Sequence, residues 1–148
     1  MNIKMYPLLF EPNLHEVVWG GQKLTEWKGF AAKDHIGESW EVSGVESSPS
    51  VIANGIWIGH TLNEAIDQYP EDILGCEVCQ RYDRKLPILV KFIDAKADLS
   101  VQVHPDDEMA ARVHGKNGKS EMWYVLDAEP GAYLYSGFKE KLSAEDYK

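Results

Sequence analysis

The chain has 148 residues, of which 44% are hydrophobic and 11% aromatic; a chain of that length buries roughly two-thirds of the surface its unfolded form exposes, and this apolar content excludes a disordered chain. Acidic residues outnumber basic ones 24 to 15, a net charge of −9, which repels a phosphate backbone and sets nucleic acid aside as a partner. The sequence opens with no basic head and apolar core, and no run approaches the roughly 20 apolar residues of a membrane span, so a cytoplasmic protein without membrane association is expected.

Residues 1–36 carry Pro7, Pro12, Gly20, Gly21 and Gly29, punctuation that predicts an irregular lead-in with a brief helical signal at 22–27. Residues 39–45 read as a short strand. Apolar residues flank Asn54-Gly55 on both sides, the strongest short-range signal for a tight hairpin. Thr61 is followed three residues later by Glu64, with Leu62, Ala65, Ile66 and Tyr69 at helical spacing; this is a capping box and predicts a helix over 62–69. Pro70 closes it, and 71–81 reads as a weaker second helix. The Cys76-x-x-Cys79 pair in that segment has neither a second CxxC nor a βαβ pattern around it, so the thiols are read as structural or incidental.

From Leu86 the character changes. Residues 88–94 are rich in β-branched and aromatic side chains, and 99–104 alternate in period two, so both read as strands. Pro105 with Asp106, Asp107 and Glu108 opens a short helix running to about residue 113, because acids in the first turn complement the helix dipole. A loop follows at 115–118, then strands at 121–127 and 132–135. Residues 142–148 read as a helix start capped by Ser143 with room for about one turn, which suggests a chain that continues. The pattern is mainly β, compatible with a barrel or jelly roll, with short helices inserted in the N-terminal half.

The segment Ser100-Val101-Gln102-Val103-His104-Pro105 carries the sharpest signal. Strand alternation puts Ser100, Gln102 and His104 on one face, and by the same rule Lys119 and Glu121 share a face. If the two strands are neighbours, an amide oxygen, an imidazole nitrogen and a carboxylate converge, a set that suits zinc or another divalent first-row metal. Equally, Glu121 is an exposed strand residue paired with Lys119, and one histidine fixes nothing.

The stretch 86–95 running into Leu99-Ser100-Val101-Gln102-Val103-His104-Pro105-Asp106 closely resembles the signature of type I mannose-6-phosphate isomerases. Similar segments occur in the same order at Trp19-Gly20-Gly21, Gly37-Glu38-Ser39-Trp40-Glu41, Lys119-Ser120-Glu121-Met122-Trp123-Tyr124 and Ser136-Gly137-Phe138, with the compact spacing of the short bacterial branch. The resemblance implies a cupin or jelly-roll-like barrel. Residues 1–85 would be the lead-in and 86–148 the metal-bearing β region, with further cupin strands downstream. It also implies one zinc ion on Gln102, His104 and Glu121, with a fourth ligand, a histidine, expected beyond residue 148. Lys91 and Lys119 are implied catalytic residues, with phosphate binding and proton handling left open between them, and Glu38 and Ser100 are implied substrate-binding residues. The implied reaction interconverts mannose 6-phosphate and fructose 6-phosphate, and the 148 residues alone are expected to have little activity.

Two other kinds of cupin share parts of this pattern. A cupin isomerase acting on glucose 6-phosphate would carry HxH where this chain has QxH. A non-catalytic sugar-binding or regulatory cupin would not need Gln102, His104, Lys119 and Glu121 together.

Overall fold

The computed structural model describes residues 5–141, 143, 145 and 146. Two compact units are present, residues 1–101 and 102–148.

The first unit is built on an antiparallel sheet in the order β1 (Leu14–Gly21), β2 (Ile36–Ser43), β3 (Leu89–Ile93). The expected strand at 39–45 thus starts three residues earlier, and β3 coincides with the predicted 88–94 strand. β1 corrects the irregular lead-in: its Val17, Val18 and Trp19 have strand character, which the neighbouring prolines and glycines obscured. His15 pairs with Glu38, and Trp40 pairs with Lys91, so these four side chains share one sheet face. A one-residue register shift follows Trp40. No barrel is formed by the described residues; the strands make one small open sheet.

Helix α1 (Lys23–Trp27) stands where the brief helical signal placed it. Helix α2 (Leu62–Gln68) has the predicted capping box: Thr61 Oγ1 accepts from Glu64 N at 3.2 Å, and Thr61 N donates to Glu64 Oε2 at 2.7 Å. Its Ala65 packs with Ile52 and Trp57 in a buried cluster, closed over by Tyr6, Leu8, Phe10, Tyr69 and Ile73. The weaker helix of 71–81 is two helices, α3 (Pro70–Leu74) and α4 (Cys76–Arg81), broken where Gly75 adopts φ +81°. Cys76 is exposed and Cys79 buried, both as free thiols.

The hairpin at Asn54-Gly55 is corrected. Asn54-Gly55 instead opens a 3-10 turn at Gly55–Trp57, and Val51 bridges to Thr61 across a wider loop. The Asn54 amide is drawn away from turn formation: it accepts from Leu9 N at 2.9 Å and donates to Pro7 O at 3.0 Å.

The second unit is organised by α5 (Asp107–His114). Asp106 caps it by accepting from Met109 N at 2.8 Å, and Gly115 ends it in the left-handed conformation. The expected strands at 99–104, 121–127 and 132–135 are not present. Alternation predicts an extended chain with two faces, but a strand also requires a ladder partner, and these segments have none among the described residues. Ser143 and Asp146 exchange the hydrogen bonds of a cap, Asp146 N to Ser143 Oγ at 3.2 Å and Ser143 Oγ to Asp146 Oδ2 at 2.6 Å; Leu142, Ala144, Tyr147 and Lys148 of that expected helix start lie outside the described residues. No helix among the described residues is long and apolar enough to cross a membrane.

Candidate functional site

In the second unit the loop after α5 is folded back onto its start. Gly118 N donates to Asp107 Oδ1 at 2.9 Å and Lys119 N donates to Pro105 O at 3.1 Å. The approach is close enough that a Cβ on Gly118 would lie 2.6 Å from both Asp106 C and Asp107 N, so only glycine fits. This fold-back brings Glu121 to His104.

His104 Nε2 lies 2.7 Å from Glu121 Oε2, and Lys119 Nζ lies 3.1 Å from the same oxygen. The other oxygen, Oε1, accepts from Trp123 Nε1 at 2.8 Å. Glu121 is thereby held ionised, its pKa lowered to about 2: the indole donation is the largest influence, partial burial opposes it, and Lys119 and His104 reinforce it. Beside this group a shallow depression of about 320 Å³ is lined by His104, Pro105, Asp106, Gly118, Lys119 and Ser120 among others.

Of the implied metal ligands, His104 and Glu121 are brought together. Gln102 is exposed and forms no hydrogen bond with either. No group of three His, Cys, Asp or Glu side chains able to hold a metal ion occurs among the described residues. An imidazole nitrogen beside a carboxylate oxygen is nonetheless a donor pair that fits zinc.

In the first unit, Glu38 and Lys91 form a second ionic group. Lys91 Nζ donates to Glu38 Oε1 at 2.8 Å, and Trp40 Nε1 donates to Glu38 Oε2 at 2.7 Å. The His15 ring stacks on Trp40 with centroids 4.1 Å apart. Burial alone would raise the Glu38 pKa, but the two hydrogen bonds and the nearby positive charge outweigh it and the net shift is downward. Burial lowers the His15 pKa, with Glu38 opposing and Lys91 assisting. Ser100 is exposed and lies outside any helix or strand.

Sequence reasoning singled out Glu38, Lys91, His104, Lys119 and Glu121 but passed over Trp40, Trp123 and His15. The two tryptophans carried a usable signal. Each stands two residues after a glutamate; on β2 the period-two spacing sets the Trp40 indole beside the Glu38 carboxylate, whereas Trp123 reaches Glu121 from a segment that forms no strand.

A family model described as "Phosphomannose isomerase type I, catalytic domain" matches residues 8–131. The chain is 39% identical to the "Probable mannose-6-phosphate isomerase GmuF" of Bacillus subtilis (strain 168), over 96% of this chain and 47% of that protein. It is 36% identical to the "Mannose-6-phosphate isomerase ManA" of the same organism, over 88% of this chain and 40% of that one. The crystal structure of the mannose 6-phosphate isomerase from Bacillus subtilis superposes with a TM-score of 0.67 at 34% identity, covering 77% of this chain and 35% of that one. The chain therefore spans less than half the length of these relatives, and it belongs to the type I phosphomannose isomerase family, with residues 8–131 matching that family's catalytic domain.

Proposed function

We propose that this chain forms part of a zinc-dependent aldose-ketose isomerase of the cytoplasm that interconverts mannose 6-phosphate and fructose 6-phosphate. The observation that supports this best is the meeting of His104, Glu121 and Lys119 at one point within the family-matched stretch. In this reading His104 and Glu121 are two zinc ligands, Gln102 is the third, and a histidine beyond residue 148 is the fourth. The cupin or jelly-roll-like barrel belongs to a chain of the relatives' full length, and the 148 residues alone have little activity.

The chemistry follows from the side chains. Moving a proton between C1 and C2 of a sugar phosphate needs a base near carbon, charge stabilisation at the two oxygens and an anchor for the phosphate. When bound, zinc would polarise those oxygens. Glu121, ionised down to about pH 2, needs no deprotonation before it can bind a cation. The Lys119 ammonium, half-exposed at 47%, keeps donors available to an anionic ligand. Lys91, implicated with it, is drawn onto Glu38 and is largely covered, its side chain 21% exposed. Phosphate binding and proton handling are assigned to these two lysines jointly, with Glu38 and Ser100 contacting substrate.

The test is turnover of mannose 6-phosphate to fructose 6-phosphate by a full-length, zinc-loaded protein containing this sequence. Conversion that falls by about 100-fold or more in Lys119→Ala, in line with the magnitude of general acid–base and electrostatic contributions, is the expected result. A zinc-loaded protein that binds the sugar phosphate without turning it over would instead make this a sugar-binding cupin.

A further inference from the structure

Two carboxylates in this chain are held by the same device. Glu38 and Glu121 each take a lysine on one oxygen and, on the other, the indole of a tryptophan two residues later. From this geometry we infer that Trp40 is a positioning residue for the Glu38–Lys91 pair. The inference rests on the reading of Glu38 and Lys91 as parts of the sugar-phosphate machinery.

Lysine is a compact point charge on a flexible stem and fixes a distance better than it fixes a plane. With Lys91 alone, the Glu38 carboxylate could rotate about its terminal bond and keep the contact. The Trp40 Nε1 donation at 2.7 Å to the second oxygen removes that freedom, because rotation would then break a charge-assisted hydrogen bond. The indole is itself held in place. His15 stacks on it at 4.1 Å with planes 27° apart, and His15 Nε2 lies 3.4 Å from Ser48 Oγ, which is tied to Asn13 Nδ2 at 3.1 Å. A continuous line of contacts thus runs from β1 through the indole on β2 to the carboxylate and on to Lys91 of β3. The titratable and charged groups facing Glu38 are His15 from β1 and Lys91 from β3. Such locking by supporting side chains is what preorganises a reacting or binding group.

A packing role for Trp40 is the competing account, since the ring also lines a cleft of about 400 Å³ with Leu8, Phe10, Pro12, Lys28 and Glu41. The two accounts separate in a double-mutant cycle on the full-length, metal-loaded protein, using Trp40→Phe, Glu38→Gln and the pair. Trp40→Phe keeps an aromatic ring for His15 and deletes the donor together with part of the indole's volume, and the cycle with Glu38→Gln separates the two losses. It should lower kcat/KM for mannose 6-phosphate about tenfold, the effect of one hydrogen bond to a charged group. It should also move the acid limb of the pH profile upward, because Glu38 loses a donor that favours its ionised form. The double variant should then be within about twofold of Glu38→Gln alone, since both act through one group. Additive losses, or an unchanged acid limb, would overturn the inference in favour of packing. A Glu38→Gln protein with wild-type kcat/KM would overturn it differently, by removing Glu38 from the machinery. If Trp40→Phe fails to fold, His15→Leu removes the stacked ring and spares the donor. A loss of about threefold that disappears in the Glu38→Gln background supports the inference, and a loss that persists there refutes it.

Discussion

Lys91 and Glu38, 53 residues apart in the chain, meet at 2.8 Å across the β2–β3 pair, with side chains only 21% and 14% exposed. The contact ties the stability of the sheet to two residues proposed to act on substrate.

That pair makes acid stability predictable in sign. The folded Glu38 pKa is depressed below its ordinary value of 4.5, so its contribution is fully present above about pH 4.5 and is lost as pH falls through the depressed value. Lys91→Met removes the partner and leaves burial as the dominant influence, which raises the pKa. We expect the variant to lose about 1–2 kcal/mol at pH 7, the scale for a hydrogen bond to a charged group at a partly screened site. We also expect it to lose less than wild type on acidification from pH 5 to 3. Urea melts at the two pH values check this; parallel pH dependence of both proteins would refute it.

Gly118 sets the approach of the Glu121 segment to the start of α5. In Gly118→Ala the added Cβ meets backbone atoms at 2.6 Å, and backbone cannot swing aside as a side chain can. The loop must move, taking Lys119 and Glu121 from His104. Zinc affinity of the full-length protein, measured by competition with a chromophoric chelator, should fall about tenfold or more, as for lost support around a metal ligand. An affinity equal to wild type would show that the fold-back does not position the ligands.

Local signals were readable in the sequence, and long-range ones were not. The Thr61–Glu64 capping box involves residues three apart and appears as predicted, as do α1 and the α5 start. Asn54-Gly55 failed because residues 45 or more positions away, Leu9 and Pro7, captured the Asn54 side chain. The strands at 99–104, 121–127 and 132–135 failed because alternation specifies faces without specifying a ladder partner. At the site, the meeting of His104 with Glu121 follows from the fold-back at Gly118, whereas alternation alone left the metal and ion-pair readings equal. The Glu38–Lys91 pair depends on strand order, which composition does not encode.

The capping box itself should carry measurable stability. Thr61→Ala removes the acceptor for Glu64 N and the hydroxyl bonded to Glu64 Oε2. The expected cost is about 1 kcal/mol, or roughly 4 °C in Tm for a domain of this size. Thr61→Ser should recover most of it. Equal Tm values for all three proteins in differential scanning calorimetry would rule out the cap as a source of stability.

The most direct test of the metal-centred account is zinc content by inductively coupled plasma mass spectrometry. It would be measured on the full-length protein and on its His104→Ala and Glu121→Ala variants, each checked for folding by circular dichroism. The account predicts near-stoichiometric zinc in the parent and its loss in both variants. Folded variants that keep the parent's zinc would contradict it, because His104 and Glu121 would then not be the residues that hold the ion.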